Sequence, residues 1–147
     1  MRTPRNAGII DVFAGRGKLA AFLARSEIVV NLLPLTPETR GIFCAETFKA
    51  LPAGASIINL GRGEHVVEAD LIAALDSGHL GTATLDVFPV EPLPGDSPLW
   101  RHPRITVMPH VSRRLVAEDL APRVCAIVKD FRAGRAPSQY VDRARGY

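Results

Sequence analysis

Three polar residues are of the right types to act on one small molecule. Arg62 stands between two glycines in Asn59-Leu60-Gly61-Arg62-Gly63, directly after the apolar Ile57-Ile58; Glu91 sits in the proline-rich Pro89-Val90-Glu91-Pro92; His110 follows Met108-Pro109. Arginine offers a planar two-donor fork that matches a carboxylate. Histidine changes charge near neutrality and can give or take a proton, and a carboxylate beside it would raise its pKa and fix its ring. The three together suit reduction of a 2-oxo acid, with arginine holding the carboxylate and polarising the carbonyl while histidine protonates the developing alkoxide. Each also has an ordinary structural reading: a loop arginine, a strand-capping histidine, a solvated acid. Asp86, inside the apolar Leu85-Asp86-Val87-Phe88, is harder to assign to solvent, because a buried acid needs partners.

The elements around these residues decide whether they can meet. Residues 1–16 read as a mostly irregular opening segment, and Lys18–Arg25 as a short helix with Leu19, Phe22 and Leu23 at helical spacing. Ile28–Leu33 is an apolar strand stopped by Pro34. Thr36-Pro37-Glu38 predicts a helix start, with Thr36 as N-cap, Pro37 in the first helical position and Glu38 at the positive end of the dipole. Glu46–Leu51 is a further short helix. Ala55–Leu60 is the strand that delivers Arg62, and the flanking glycines let backbone approach closely and keep the turn tight. Glu68–Ser77 is a helix with Leu71, Ile72 and Leu75 inward and Gly78 as its cap. Thr82–Phe88 and Ile105–Met108 are two more strands, with one turn at Ser97–Trp100 between them. Leu115–Phe131 is a long amphipathic helix, with Pro122 marking a kink or the join of two helices. Strands alternating with helices predict an α/β fold with a parallel sheet, which binds ligands at the carboxyl ends of its strands.

Composition narrows the field. The 147 residues carry a net charge of +3, 47% hydrophobic and 22% charged residues, which is ordinary for one soluble globular domain. No basic stripe interleaved with aromatics points to nucleic acid, and no apolar run reaches the length of a membrane span. Cys44 and Cys125 lie far apart without metal-ligand spacing, so we expect no metal site and two small buried hydrophobes in a reducing compartment, the cytoplasm. No signal peptide, internal repeat or separate second domain is evident. A G-x-G-x-x-G turn after a strand is also lacking, since Gly15-Arg16-Gly17 is followed by Lys18-Leu19-Ala20.

Four ordered motifs carry a family resemblance: Asn31-Leu32-Leu33-Pro34-Leu35-Thr36-Pro37-Glu38-Thr39; Asn59-Leu60-Gly61-Arg62-Gly63; Leu85-Asp86-Val87-Phe88 with Glu91-Pro92-Leu93-Pro94; and Pro109-His110. They resemble the D-isomer-specific 2-hydroxyacid dehydrogenases. Leu99-Trp100-Arg101-His102-Pro103 and the ending Val141-Asp142-Arg143-Ala144-Arg145-Gly146-Tyr147 look most like the bacterial glyoxylate/hydroxypyruvate reductases of the A type. The resemblance implies that Arg62 binds the 2-oxo carboxylate, that His110 is the acid/base and that Glu91 pairs with it. It places Asp86 at the nicotinamide carboxamide, Leu33, Pro34, Leu60 and Gly61 along the cofactor, and Arg2 and Arg5 at the 2′-phosphate of NADPH, with NADH as the alternative. It also implies a homodimer.

Two departures accompany it. The resemblance covers only the later part of the family's length, so the expected fold is an incomplete Rossmann-type parallel sheet flanked by helices, without the first strand and glycine-rich turn. In a 3-2-1-4-5-6 sheet this predicts that strand 28–33 lacks its usual neighbour and that strand 55–60 has an open apolar edge. The residues after His110, small in relatives, here include Arg113 and Arg114. The competing reading is a non-catalytic remnant that keeps the motifs as a dimerising or binding module. A nucleotide-dependent regulator on the same fold is a third, disfavoured because all three catalytic positions are filled.

Overall fold

The computed structural model describes residues 11–112 and 116–136. The chain forms two compact units, Met1–Pro109 and His110–Tyr147. Arg2, Arg5, Arg113, Arg114 and most of the basic tail lie outside the described residues.

The first unit is a four-stranded, all-parallel sheet in the order β1 (Ile28–Asn31), β2 (Ala55–Asn59), β3 (Leu80–Leu85), β4 (Ile105–Val107). Sequential strands are neighbours, as short crossovers favour. Around the sheet run α1 (Leu19–Leu23), α2 (Ala45–Lys49) and α3 (Glu68–Asp76). One face is closed: Val29 and Ile57 on it, with Leu71 and Leu75 of α3 and Phe48 of α2, are at most 3% exposed. Fully burying a leucine contributes about 1.5–3 kcal/mol. On β1 the opposite face is open, with Ile28 64% and Val30 48% exposed and Leu32 beyond them at 71%. Across that face the register runs from Val30 to Ile58 to Thr84 to Thr106, changing from aliphatic to hydroxyl side chains.

The edge prediction needs correcting. Strand 55–60 is interior, flanked by β1 and β3, and the open apolar edge belongs to β1. In a sheet whose order follows the sequence, the first and last strands are the ones without a second neighbour, and of these β1 carries the exposed aliphatic side chains. The expected helix start at Thr36 is also overturned: residues 37–41 form a turn only. Thr39 Oγ1 donates to the Pro34 carbonyl at 2.8 Å and accepts the Thr36 N–H at 2.8 Å, closing a local loop. Gly41 then takes φ 62°, which ends any helical course, and its N–H goes to the Glu64 carbonyl at 2.8 Å. Capping chemistry thus served a turn, as short polar side chains commonly do. β3 begins two residues earlier than Thr82 and ends at Leu85, so Asp86, Val87 and Phe88 follow the strand.

The second unit holds α4 (Ala117–Arg132), with Pro122 inside it and no buried residue. Its apolar stripe is exposed, Val124 at 47% and Phe131 at 77%, and the expectation of two buried cysteines is overturned, since Cys125 is exposed on this helix and Cys44 is only half-buried. His110 opens this unit in the left-handed backbone region, with φ 55°, a conformation a non-glycine residue adopts uncommonly.

Candidate functional site

Parallel strands end on the same side of a sheet, so their connecting loops gather along one edge. β1 ends at Asn31 and leads into Leu33 and Pro34; β2 ends at Asn59 and leads into Leu60, Gly61 and Arg62; β3 ends at Leu85 and leads into Asp86. These carboxyl ends are in register, Asn31 beside Asn59 and Asn59 beside Leu85. Asp86 is 1% exposed, and its N–H donates to the Asn59 carbonyl at 3.0 Å. Leu33 and Leu60 are half-buried, while Pro34 and Arg62 are exposed.

The Gly-Arg-Gly turn is built for close approach. A Cβ on Gly63 would lie 1.9 Å from the Phe88 carbonyl carbon and 2.2 Å from the Pro89 nitrogen, so backbone crosses backbone there. A Cβ on Gly61 would lie 2.8 Å from Asn31 Nδ2 and 2.9 Å from His65 Nδ1. What the two glycines admit is therefore the protein's own interior: a loop on one side and a polar cluster on the other. Arg62 Nη1 donates to the Gly61 carbonyl at 2.7 Å, which folds the exposed guanidinium over the mouth of the turn.

Below the turn lies a cluster that sequence reasoning gave no role. His65 and Asn59 are 0% exposed and Asn31 2%. Asn31 Nδ2 donates to Asn59 Oδ1 at 2.8 Å and reaches His65 Nδ1 at 2.8 Å, while Asn31 Oδ1 accepts the Leu33 N–H at 3.1 Å. Asn59 Oδ1 also accepts the Gly61 N–H at 3.2 Å, and Asn59 Nδ2 donates to the Arg62 carbonyl at 3.0 Å. Burial holds the His65 pKa below its ordinary value, against the opposing pull of the Pro34 carbonyl and Glu64. One signal for this cluster was present in the sequence: an asparagine closes each of two successive apolar strands, and a buried amide needs partners.

The third strand end is organised differently. After Phe88 the chain passes through exposed Pro89 to Pro92, with a cis peptide between Glu91 and Pro92. Glu91 Oε1 accepts the Phe88 N–H at 2.9 Å, so this carboxylate braces its own loop. Trp100 Nε1 donates to the Pro94 carbonyl at 2.9 Å and closes the far side. Arg62 and Glu91 belong to the first unit and His110 to the second. Among the described residues no helix is long and apolar enough to cross a membrane, and no group of three metal-ligating side chains occurs.

Residues 3–112 match the family model described as D-isomer specific 2-hydroxyacid dehydrogenase, NAD binding domain. The chain is 48% identical, with a TM-score of 0.95, to a D-isomer specific 2-hydroxyacid dehydrogenase from Xanthobacter autotrophicus Py2 solved with NADPH and MES, over 100% of this chain and 61% of that one. It is 39% identical, with a TM-score of 0.92, to an NADPH-dependent glyoxylate/hydroxypyruvate reductase from Sinorhizobium meliloti solved with NADP and sulfate, over 100% of this chain and 48% of that one. A probable 2-hydroxyacid dehydrogenase from Rhizobium etli CFN 42, solved with NADP, HEPES and L(+)-tartaric acid, is 39% identical with a TM-score of 0.89, over 99% of this chain and 47% of that one. The chain thus spans less than two thirds of the length of these relatives.

Proposed function

We propose, from the premise that this chain belongs to the D-isomer specific 2-hydroxyacid dehydrogenase family, that it is the cofactor-side portion of an NADPH-dependent reductase of small 2-oxo acids such as glyoxylate and hydroxypyruvate. The observation that carries this reading is the gathering of Leu33–Pro34, Gly61–Arg62 and Asp86 at the carboxyl edge of one parallel sheet. A buried acid beside half-buried apolar loop residues suits a flat, amide-bearing ring, so the residues present fit the nicotinamide and adenosine parts of a dinucleotide. When bound, that cofactor supplies a hydride to the substrate's carbonyl carbon.

In this reading the chain's own residues do the rest. Arg62 swings its fork from the Gly61 carbonyl to the substrate carboxylate and polarises the neighbouring carbonyl. His110 gives its proton to the carbonyl oxygen as that oxygen gains negative charge, and Glu91 steadies the imidazolium beforehand. Arg2 and Arg5 meet the 2′-phosphate and select NADPH over NADH, and the working unit is a homodimer in the cytoplasm.

Titration of the 147-residue chain with NADPH, following cofactor fluorescence alongside a thermal melt, tests the reading. Saturable binding by a cooperatively melting protein, weakened by Asp86→Ala, is the expected outcome. A folded chain that ignores NADPH supports the binding-module reading instead. Glyoxylate reduction that survives Arg62→Ala in a full-length relative carrying this portion removes Arg62 from its role.

A further inference from the structure

The buried histidine under the arginine turn carries an inference of its own. Its ring can be read without ambiguity, because each uncertain group of the cluster is anchored to backbone. The Arg62 N–H points at His65 Nδ1, 3.2 Å away, and a backbone N–H can only donate, so Nδ1 is the bare, accepting nitrogen. The proton then resides on Nε2, which donates to the Pro34 carbonyl at 3.3 Å. Asn31 agrees independently: the Leu33 N–H fixes its Oδ1, so its Nδ2 is the group facing His65 Nδ1 and Asn59 Oδ1.

Arg62 is therefore gripped at both backbone groups, its N–H by His65 and its carbonyl by Asn59 Nδ2. The same imidazole holds the Pro34 carbonyl in the loop that leaves β1. The segment carrying His65 is itself clamped: Phe43 N–H donates to the His65 carbonyl at 2.9 Å, and Val67 N–H to the Phe43 carbonyl at 2.9 Å. One ring in one tautomer thus ties two loops of the sheet's carboxyl edge to a common support.

We propose that His65 is a positioning residue that sets the backbone of Arg62 and the Leu33–Pro34 loop in one mutual geometry through an imidazole locked as its Nε2–H tautomer. Its consequence for substrate binding rests on the reading of Arg62 given above; the geometric role does not. A fixed backbone leaves only the Arg62 side chain to reorient, so the fork meets a carboxylate from a constant origin. A misplaced origin of that kind costs binding and rate together.

The test compares the full chain with His65→Asn and His65→Gln. Asparagine puts an acceptor oxygen near the place of Nδ1, and glutamine puts a donor near the place of Nε2, so each variant keeps one of the two ties. Nitrogen-15 imidazole shifts and amide exchange at Arg62 and Leu33 are the readouts. The wild-type ring should be the Nε2–H tautomer at neutral pH. The Arg62 amide should exchange roughly tenfold faster in His65→Gln, and within about threefold of wild type in His65→Asn, as expected from losing or keeping one hydrogen bond. Equal acceleration in both variants, or a wild-type ring protonated on Nδ1, overturns the proposal; should either variant lack a cooperative melt, the wild-type tautomer decides alone. Oxalate, a dicarboxylate mimic of a 2-oxo acid, separates the two claims. Binding that Arg62→Ala abolishes should weaken roughly tenfold in His65→Gln and little in His65→Asn. Equal oxalate binding by wild type and Arg62→Ala removes the role of Arg62 and leaves the tautomer and exchange results to decide that of His65.

Discussion

The loops that leave β1 and β2 are fixed from beneath, whereas the loop that leaves β3 is fixed from within. Under Arg62 lie the buried Asn59 amide and His65 ring, which bond its backbone, and the buried Asn31 amide, which bonds both of them; the Arg62 side chain stays exposed. In the loop of residues 86–96, by contrast, Glu91 spends a carboxylate oxygen on the Phe88 N–H, and prolines at 89, 92 and 94 stiffen the rest. The same sheet edge thus shows two ways of holding a polar side chain. Where separate residues supply the support, the exposed group can change without loss of structure; where the group supports itself, function and structure are bound together.

The two regions meet at Gly63, and breaking that meeting point should have the largest effect. Gly63→Ala forces a Cβ to within 1.9 Å of the Phe88 backbone. Neither backbone can yield without moving a strand end, and the cost should be at least about 4 kcal/mol. Loss of the cooperative melt is expected; a variant that melts within a few degrees of wild type contradicts the close approach.

Next comes the support beneath Arg62. Asn31→Ala takes the acceptor from the Leu33 N–H and one of two donors from each of Asn59 Oδ1 and His65 Nδ1, which keep the Gly61 and Arg62 N–H groups. The orphaned N–H costs about 1–3 kcal/mol and each of the two lost bonds about 0.5–1.5 kcal/mol. Water entering the new cavity would offset part of this, so we expect a loss of roughly 2–3 kcal/mol in denaturant unfolding. Asn31→Asp should do no better, since it removes the donor to His65.

These supports mark where sequence reading succeeded and where it stopped. The strand at 55–59, the helix at 68–76 with Gly78 at φ 76°, and the turn at 98–101 capped by Ser97 stand close to their predicted places. Each is dictated by local signals: a β-branched run, an apolar stripe, a capping residue. Sheet order is not local, and so the open edge was assigned to the wrong strand. The Thr36 turn shows the opposite failure, in which a valid N-cap signal was diverted by Thr39 bonding the Pro34 carbonyl. Arg62 was legible because glycines flank an exposed cation after a strand. His65 was not, because a single histidine shortly before the start of α3 gives no hint that two asparagines, 28 residues apart, close around it.

The pH dependence of stability should sharpen the contrast, because the support beneath Arg62 contains a titratable ring. Burial holds the folded His65 pKa below its ordinary 6.5; of the charges around it, Glu64 raises it, and Arg62 and Arg40 lower it. Below pH 6.5 the unfolded chain therefore binds the proton more readily. The stabilising contribution is complete above that value and is lost as pH falls through the window toward the folded pKa. Half-buried Glu68 acts in the reverse sense: burial raises its pKa above the ordinary 4.5, so its contribution is present below that value and fades as pH rises through the folded pKa. Melting between about pH 7 and pH 5 should fall with acidity, and His65→Asn should flatten that fall. An unchanged slope in the variant contradicts the assignment to His65.

The smallest effects test the contrast most directly. Arg62→Ala removes an exposed side chain whose hydrogen bond to Gly61 belongs to its own turn, and no group beneath depends on it. Its stability should stay within about 0.5 kcal/mol of wild type. Glu91→Ala is equally a surface substitution, yet it removes the acceptor for the Phe88 N–H beside the crossing at Gly63. A charge-assisted bond to backbone is worth about 1.5–3 kcal/mol when sheltered, and exposure to solvent should reduce that to about 1 kcal/mol. Glu91→Gln keeps an acceptor oxygen and should recover most of the difference. Denaturant midpoints of the three variants, taken at one pH, decide the matter. If Arg62→Ala and Glu91→Ala cost the same, the two strand ends are held alike, and the division between outside support and self-support is wrong. If only Glu91→Ala is costly and Glu91→Gln restores it, the loop after β3 depends on the residue proposed to serve the chemistry, and its tolerance for change is correspondingly narrow.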